Sequence, residues 1–516
     1  TIVSVNSSIA LVRNAKRYLC TDHLDFTPVV IDGITYIPTE IVREMLRECV
    51  EEDRENKTIT VKNEDSITMV FDENGCTISD IFSEKRENAP MKIFGEHYCL
   101  PLRFVSEAFG KAVEYRDGVI IVDEKNRINA ILNDVDLINY AKEAIVAVKT
   151  VGRVLHVAQK NPNANDTNSG TEDMPYKTIN AAAAVAKAGD TILVHEGDYR
   201  ETVEFKNDGL QGSPITLKGA EGEEVILNAS EVVGKLRPYK GDIYITNVPN
   251  TMDWNKKQIW INRQPYAEGR YPNEDNHPTV PNIKEKLGLN PYWATIGDMK
   301  GLGSNEEYGT NYITSDTLLD QEEPDYWKGA VINLFQGHGW SRSQAVITSS
   351  GKGWVRHSLD EGSPHGLSFG WLGYTAPLDG DNGFITGSLN TVDVPGEWYM
   401  DDEFLYIIPP EGFDFDNDVI EYKARTLLID LRKKSHIKVQ NIHGFGGSIS
   451  MLDAQMCIID DCNFEYTSHS IWCADQRTGY IDNFNDRTEN EDHANGGAGI
   501  YISGADNVFK NSRIYS

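Results

Sequence analysis

The chain has 516 residues, 79 acidic and 49 basic side chains for a formal net charge of −30, and 40% hydrophobic content with 9% aromatics. This is enough apolar material for about two to four domains with real cores, which excludes a disordered chain. The acidic balance excludes a basic face for nucleic acid, and no run approaches the roughly twenty apolar residues that span a bilayer.

Residues 1–148 read as a small α+β unit with a weak internal duplication. Pro38 in GITYIPTEIVREML aligns with Pro101 in EHYCLPLRFVSEAF, and apolar residues follow at Ile41, Val42, Met45 and Leu46 and at Phe104, Val105, Ala108 and Phe109. Those spacings trace one helix face after each proline. Strand-like TITVKN and GVIIVDE follow the two helices. The stretch from Tyr98 to Val122 resembles the stalk-like domain named after the N-terminus of copper amine oxidases, found in surface and secreted proteins of Gram-positive bacteria. That resemblance implies a spacer or wall-contacting module on a secreted or cell-surface protein, and neither copper nor amine oxidation. A helix from Asp136 to Val148 is expected to join it rigidly to the next unit.

Residues 149–235 open with a strand at 154–158, a polar loop, an alanine-rich helix at 176–188, a Gly189-Asp190 turn and a strand at 191–195. This order resembles the start of secreted right-handed parallel β-helix polysaccharide lyases and glycoside hydrolases, the pectate-lyase-like superfamily, where the helix plugs the open end of the solenoid. Residues 236–425 break the coil period and read as a β-rich insertion. Within it, QIWINRQPYAEGRYPNE around Arg270 and VDVPGEWYMDDEFLYIIPPEG around Trp398 resemble an element of some β-helix glycoside hydrolases. Gly269 stands there in place of the usual alanine.

Residues 426–516 carry a repeat. HIKVQNIHGF, MCIIDDCNFEY and NVFKNSRIYS align on Val439, Ile459 and Phe509, which puts Asn441, Asp461 and Asn511 at one position. The spacing predicts one coil of about twenty residues and two of about twenty-five, as in a solenoid. Asn and Asp suit a corner because they tolerate the left-handed backbone. SISMLD, SIWCAD and GIYISG supply a second strand per coil, which makes Ile449, Ile471 and Ile500 equivalent and places Asp453 and Asp475 on adjacent coils. The fold expected is mainly β, a right-handed parallel β-helix, continuing beyond Ser516 as the N-terminus is expected to be trimmed before Thr1.

Coils one strand step, about 4.8 Å, apart bring two stacked carboxylates to the separation a retaining glycosidase uses. Asp453 and Asp475 are therefore candidate nucleophile and acid/base, with Asp461 and His469 beside them. As corner residues, the aspartates have a purely structural use as well. Trp472, Arg477, Glu465, His443, Arg270 and Trp398 are candidate substrate contacts, since aromatic faces stack on sugars and guanidinium groups bind their oxygens. Lys438 or Arg477 would be the base of a calcium-dependent lyase, and the loop 161–173 offers oxygens for calcium, although no cofactor is required for hydrolysis. Seven cysteines (Cys20, Cys49, Cys76, Cys99, Cys457, Cys462, Cys473) show no C-x-x-C spacing, and the odd count leaves at least one thiol free. The residues thus point to a polysaccharide-degrading enzyme, a glycoside hydrolase first, a uronate lyase second, and a non-catalytic glycan-binding surface protein third. Its partner is a polysaccharide or oligosaccharide, with a cell-wall or surface contact through the N-terminal unit.

Overall fold

A computed structural model describes residues 1–145 apart from 5–6, 13–14, 20–25, 48, 63–66 and 81–82, and residues 150–249, 257–273, 294–295, 311–314, 319, 321–336, 341–357, 382–467 and 500–515. The chain is mainly β, and among the described residues no helix is long and apolar enough to cross a membrane.

In the N-terminal unit the two proline-led segments meet. Ile34–Pro38 pairs antiparallel with His97–Pro101, and each strand ends at a proline that precedes a helix, Thr39–Leu46 and Leu102–Ala108. Proline suits both places because its fixed φ matches the extended residue before a first turn. Ile41, Val42, Met45, Leu46 and Val105 are buried in the shared core, with Phe104, Ala108 and Phe109 packed against it. The joining helix is shorter than its sequence pattern, Val135–Ala144, and Asp134 caps it by accepting from the Leu137 N–H.

From residue 154 onward three parallel sheets are built coil by coil. The first contains Val154–Val157, Thr191–Val194, Ile215–Gly219, Ile437–Gln440, Ile458–Asp460 and Val508–Lys510, in that order. The second contains Gly197–Tyr199, Val225–Asn228, His443–Phe445, Asn463–Glu465 and Arg513–Tyr515; the third contains Val203–Glu204, Leu427–Asp430, Ser448–Gln455 and Ile500–Ala505. Inward side chains of all three make one core, among them Leu155, Ile192, Leu217, Val439, Ile459, Leu227, Phe464, Ile429 and Ile449. Helix Ile179–Val185 lies across the first coil, burying Ile179, Ala182 and Ala183 in that core. Such a helix covers strand edges that would otherwise template association.

The repeat register is seen directly: Val439 pairs with Ile459 and Ile459 with Phe509. Asn441, Asp461 and Asn511 all have positive φ, as a sharp corner demands. The coil count between them differs from the spacing estimate. Ile459 and Phe509 pair directly, with no further strand between them in the first sheet where the spacing calls for one. Ile449 pairs with Ile500 in the third sheet, and SIWCAD (470–475) lies outside the described residues. Asp475, expected beside Asp453, therefore lies outside them too.

One long excursion leaves this stack at the corner from the second sheet toward the third. It runs from Asn228 to Leu427, where Ser230–Val232 already pairs with Ile420–Lys423. On the next coil the same corner is crossed by Gly446 and Gly447, where Trp260 of the insertion packs so closely that a Cβ on Gly446 would lie 3.0 Å from its ring.

Candidate functional site on the second sheet

Where this excursion departs, the second sheet presents two outward rows. Ladder pairing places Ile226, His443, Asn463 and Arg513 in one row and Asn228, Phe445, Glu465 and Tyr515 in the other, while Leu227, Gly444, Phe464 and Ile514 point inward. The alternation follows from the two-residue period of a strand. His443 Nε2 lies 3.6 Å from Glu465 Oε1, and Tyr515 is hydrogen-bonded to Glu465, which with burial pushes the phenol up to about 12; burial is the smaller of the two causes.

The insertion overhangs this face. Strands Ile259–Ile261 and Gln264–Tyr266 form a hairpin whose two-residue turn, Asn262-Arg263, has positive φ at both positions. Tight hairpins with the native twist require that conformation. Asn262 is tied to residue 418–419 backbone and side chain, its Nδ2 donating to Asp418 and its Oδ1 accepting from Val419 N–H. The turn thereby holds Arg263 with its guanidinium 4.4 Å from the Phe445 ring centroid. Trp260, Phe445 and Tyr466 pack together beneath it.

Arg263 also enters an ion-pair network. Its Nη2 donates to Asp198 at 2.9 Å and its Nε lies 3.3 Å from Glu421. Arg200 donates to the same two carboxylates, and Ser230 Oγ to Glu421 at 2.9 Å. These two carboxylates are thus neutralised by cations and held as framework. Glu465 is the carboxylate on this face that no Lys or Arg pairs with among the described residues. His443 Nε2 beside it, and Arg263 Nη1 over the Phe445 ring, are buried and make no hydrogen bond within the chain.

Other candidates lie elsewhere. Asp453 is exposed at the far end of strand Ser448–Gln455, with positive φ and its N–H donated to Ser503 Oγ. Five residues of strand separate it from Ser448 at the active corner, roughly 17 Å, so it does not converge with Glu465. Asp461 is an exposed corner residue at the other edge of the second sheet. Lys438 is 4% exposed and 3.6 Å from Asp460, itself 2% exposed; it lies in the outward row with Ile458 and Val508 that packs on the N-terminal unit, which corrects its reading as a free base. Trp398 is 1% exposed and its Nε1 donates to the Tyr266 carbonyl, so it is core and no sugar platform. Arg270 lies over Phe384 at 4.1 Å and its N–H donates to Glu397. Asp475, His469, Trp472 and Arg477 fall outside the described residues. In the loop 161–173, Asn161, Asn165 and Asp166 already accept from nearby N–H groups, and among the described residues no three His, Cys, Asp or Glu are grouped to hold a metal ion.

Arg263, Arg200 and Glu421 escape a reading of the sequence alone. Asn-Arg between IWI and QPY is a hairpin signal, but nothing local shows that its tip reaches the coils.

Comparison with known proteins agrees with this organisation. Residues 14–122 match the copper amine oxidase N-terminal domain, and residues 163–206 match a protein family of unknown function, DUF1565. The chain is 34% identical over 173 residues to pectate lyase PEL9 of Emericella nidulans, covering 32% of this chain and 41% of that protein. It is 39% identical over 71 residues to the uncharacterized protein YwoF of Bacillus subtilis, covering 14% and 15%. Among solved structures, a glycoside hydrolase aligns with TM-score 0.45 at 16% identity over 61% of this chain and 63% of that one, and XylC in complex with xylose with TM-score 0.33 at 18% identity over 61% and 41%. The chain thus spans less than two thirds of the length of each of these relatives.

Proposed function

We propose that the coils wind as a right-handed parallel β-helix and that the chain is a secreted or cell-surface polysaccharide-degrading enzyme, a glycoside hydrolase whose proton-transferring carboxyl is Glu465. The observation that carries this reading is Glu465 on the outward face of the second sheet, with His443 Nε2 3.6 Å away and no Lys or Arg paired to it among the described residues. Similarity to a protein named pectate lyase supports a pectate-lyase-like, polysaccharide-active chain.

In this reading Arg263 and His443 hold sugar oxygens, and Phe445 and Tyr466 form the apolar floor. Glu465 gives its proton to the glycosidic oxygen as the bond to the anomeric carbon breaks, and a second carboxylate stabilises or captures that carbon. Asp475 is the candidate for the second carboxylate, with His469, Trp472 and Arg477 as sugar contacts. The N-terminal unit holds the enzyme near a wall or surface partner.

A second reading, β-elimination on a uronate polymer, is favoured by the named pectate lyase and by Arg263, whose guanidinium suits a carboxylate. The full chain, assayed on neutral and uronate polysaccharides, is expected to release reducing ends without ultraviolet-absorbing product. Glu465→Gln should lower turnover roughly 10²–10⁴-fold with an unchanged circular dichroism spectrum. Undiminished turnover in that variant sinks the assignment, and an absorbing, unsaturated product moves it to elimination.

A further inference from the structure

The insertion contains a second aromatic surface, on the opposite side of a sheet from its own core. Strands Arg237–Lys240, Ile243–Asn247, Phe404–Ile407 and Trp398–Met400 lie in that order. One face buries Trp398, Met400, Leu405 and Ile407. A sheet with one buried face ordinarily turns polar residues to water on the other. Here register puts Tyr399 opposite Tyr406 and Tyr406 opposite Ile245 on that other face. Tyr239 reaches over from the edge strand, its ring centroid 5.3 Å from that of Tyr406, and the Tyr399 and Tyr406 rings stack at 6.0 Å and 25°. Tyr239 is 51% exposed, and Ile245 lies at the foot of the row, nearly covered. Large aromatics gathered on a water-facing side are the informative departure from ordinary surface composition.

We propose that this tyrosine row is a glycan-binding platform, separate from the second-sheet site, that takes a neutral polysaccharide strand. Sugar rings offer apolar C–H faces to aromatic rings and hydroxyls to their edges, and tyrosine presents both. The Tyr406 hydroxyl donates to Asp401 Oδ2 at 3.1 Å, so the row ends in a carboxylate that also accepts from sugar hydroxyls. Charge selects the occupant. Asp401, Asp402 and Glu403 stand at the Tyr399–Tyr406 end, where Lys257 spends its Nζ on the Met400 and Asp401 carbonyls; Arg237, opposite Ile245 at the other end, donates to Asn247. With a net charge of −30 over the chain, a polyuronate meets repulsion at this end and a neutral chain does not. The platform presupposes the polysaccharide-active reading and adds a place where substrate is held away from the reacting bond.

The test is affinity electrophoresis of the full chain through gels carrying arabinoxylan, galactomannan, mixed-linkage glucan or polygalacturonate. At least one neutral polymer is expected to retard the wild type, with the dissociation constant raised about tenfold by Tyr239→Ala and little changed by Tyr239→Phe. The exposed Tyr239 side chain makes the alanine variant safe for folding, and its turnover of a short oligosaccharide should stay at the wild-type value. Equal retardation of wild type and Tyr239→Ala overturns the platform, as does retardation by polygalacturonate alone or by no neutral polymer. Glu465→Gln separates the two ideas: lost turnover with retained retardation supports both, whereas full turnover with tyrosine-dependent retardation removes only the catalytic assignment.

Discussion

Glu421 illustrates what a single side chain does in this fold. It is 3% exposed, receives Arg200 at 2.7 Å, Arg263 at 3.3 Å and the Ser230 hydroxyl, and ties the insertion to the first coils. Removing one partner of a buried pair leaves the other charge without compensation. Glu421→Gln is expected to cost about 3 kcal/mol in urea unfolding, toward the low end of that range because both arginines reach solvent. It should also raise KM, since Arg263 loses one of its two tethers. A cost under about 1 kcal/mol would mean that Asp198 alone holds both guanidinium groups. None of this is legible from sequence: Arg200 and Glu421 stand 221 residues apart, and no local pattern joins them. His443 and Glu465 were within reach of sequence because the repeat fixes which residues of a strand face outward.

At the scale of the element, the coil corners show why the repeat could be read. Asn441, Asp461 and Asn511 recur because each turn needs a left-handed residue, and the side chains then find work: Asn441 Nδ2 donates to the Gly219 and Ala220 carbonyls, and Asn511 Nδ2 to Asp460. Asn441→Gly keeps the backbone freedom and loses the hydrogen bonds, about 1 kcal/mol. Asn441→Val adds the left-handed penalty of a β-branched residue, for about 2–3 kcal/mol in all. Thermal or urea unfolding that ranks the two variants equally would show that backbone strain is not what the corner asks of Asn441. The same local logic has a limit: SIWCAD alternates as well as GIYISG does, and periodicity does not tell which of two similar runs pairs with SISMLD; Ile449 pairs with Ile500, in GIYISG.

For the molecule as a whole, the N-terminal unit is docked along the coils and is more than a spacer. Ile2, Ile9, Leu11 and Tyr18 share a cluster with Met456, Ile458 and Val508, and Arg17 pairs with Asp506 at 2.7 Å. Inside this interface the Tyr18 hydroxyl and His436 Nδ1 share a hydrogen bond of 3.0 Å. Burial, reinforced by Lys16 and opposed by Asp208, pushes His436 down to about 4. The docked imidazole is therefore neutral where a free one, near 6.5, begins to take a proton. Because the unfolded chain binds that proton more readily, the contribution is full above pH 6.5 and is lost as pH falls toward 4. Melting temperatures measured between pH 6.5 and 4.5 should drop more steeply for the wild type than for His436→Asn, a residue that accepts the positive φ found at this position. Acidic groups elsewhere titrate in both proteins, so the difference between the curves isolates the interface. Parallel curves would mean that the imidazole is not held neutral by the docked unit, and the acid-sensitive contact between the two units would have to be sought at Arg17 and Asp506.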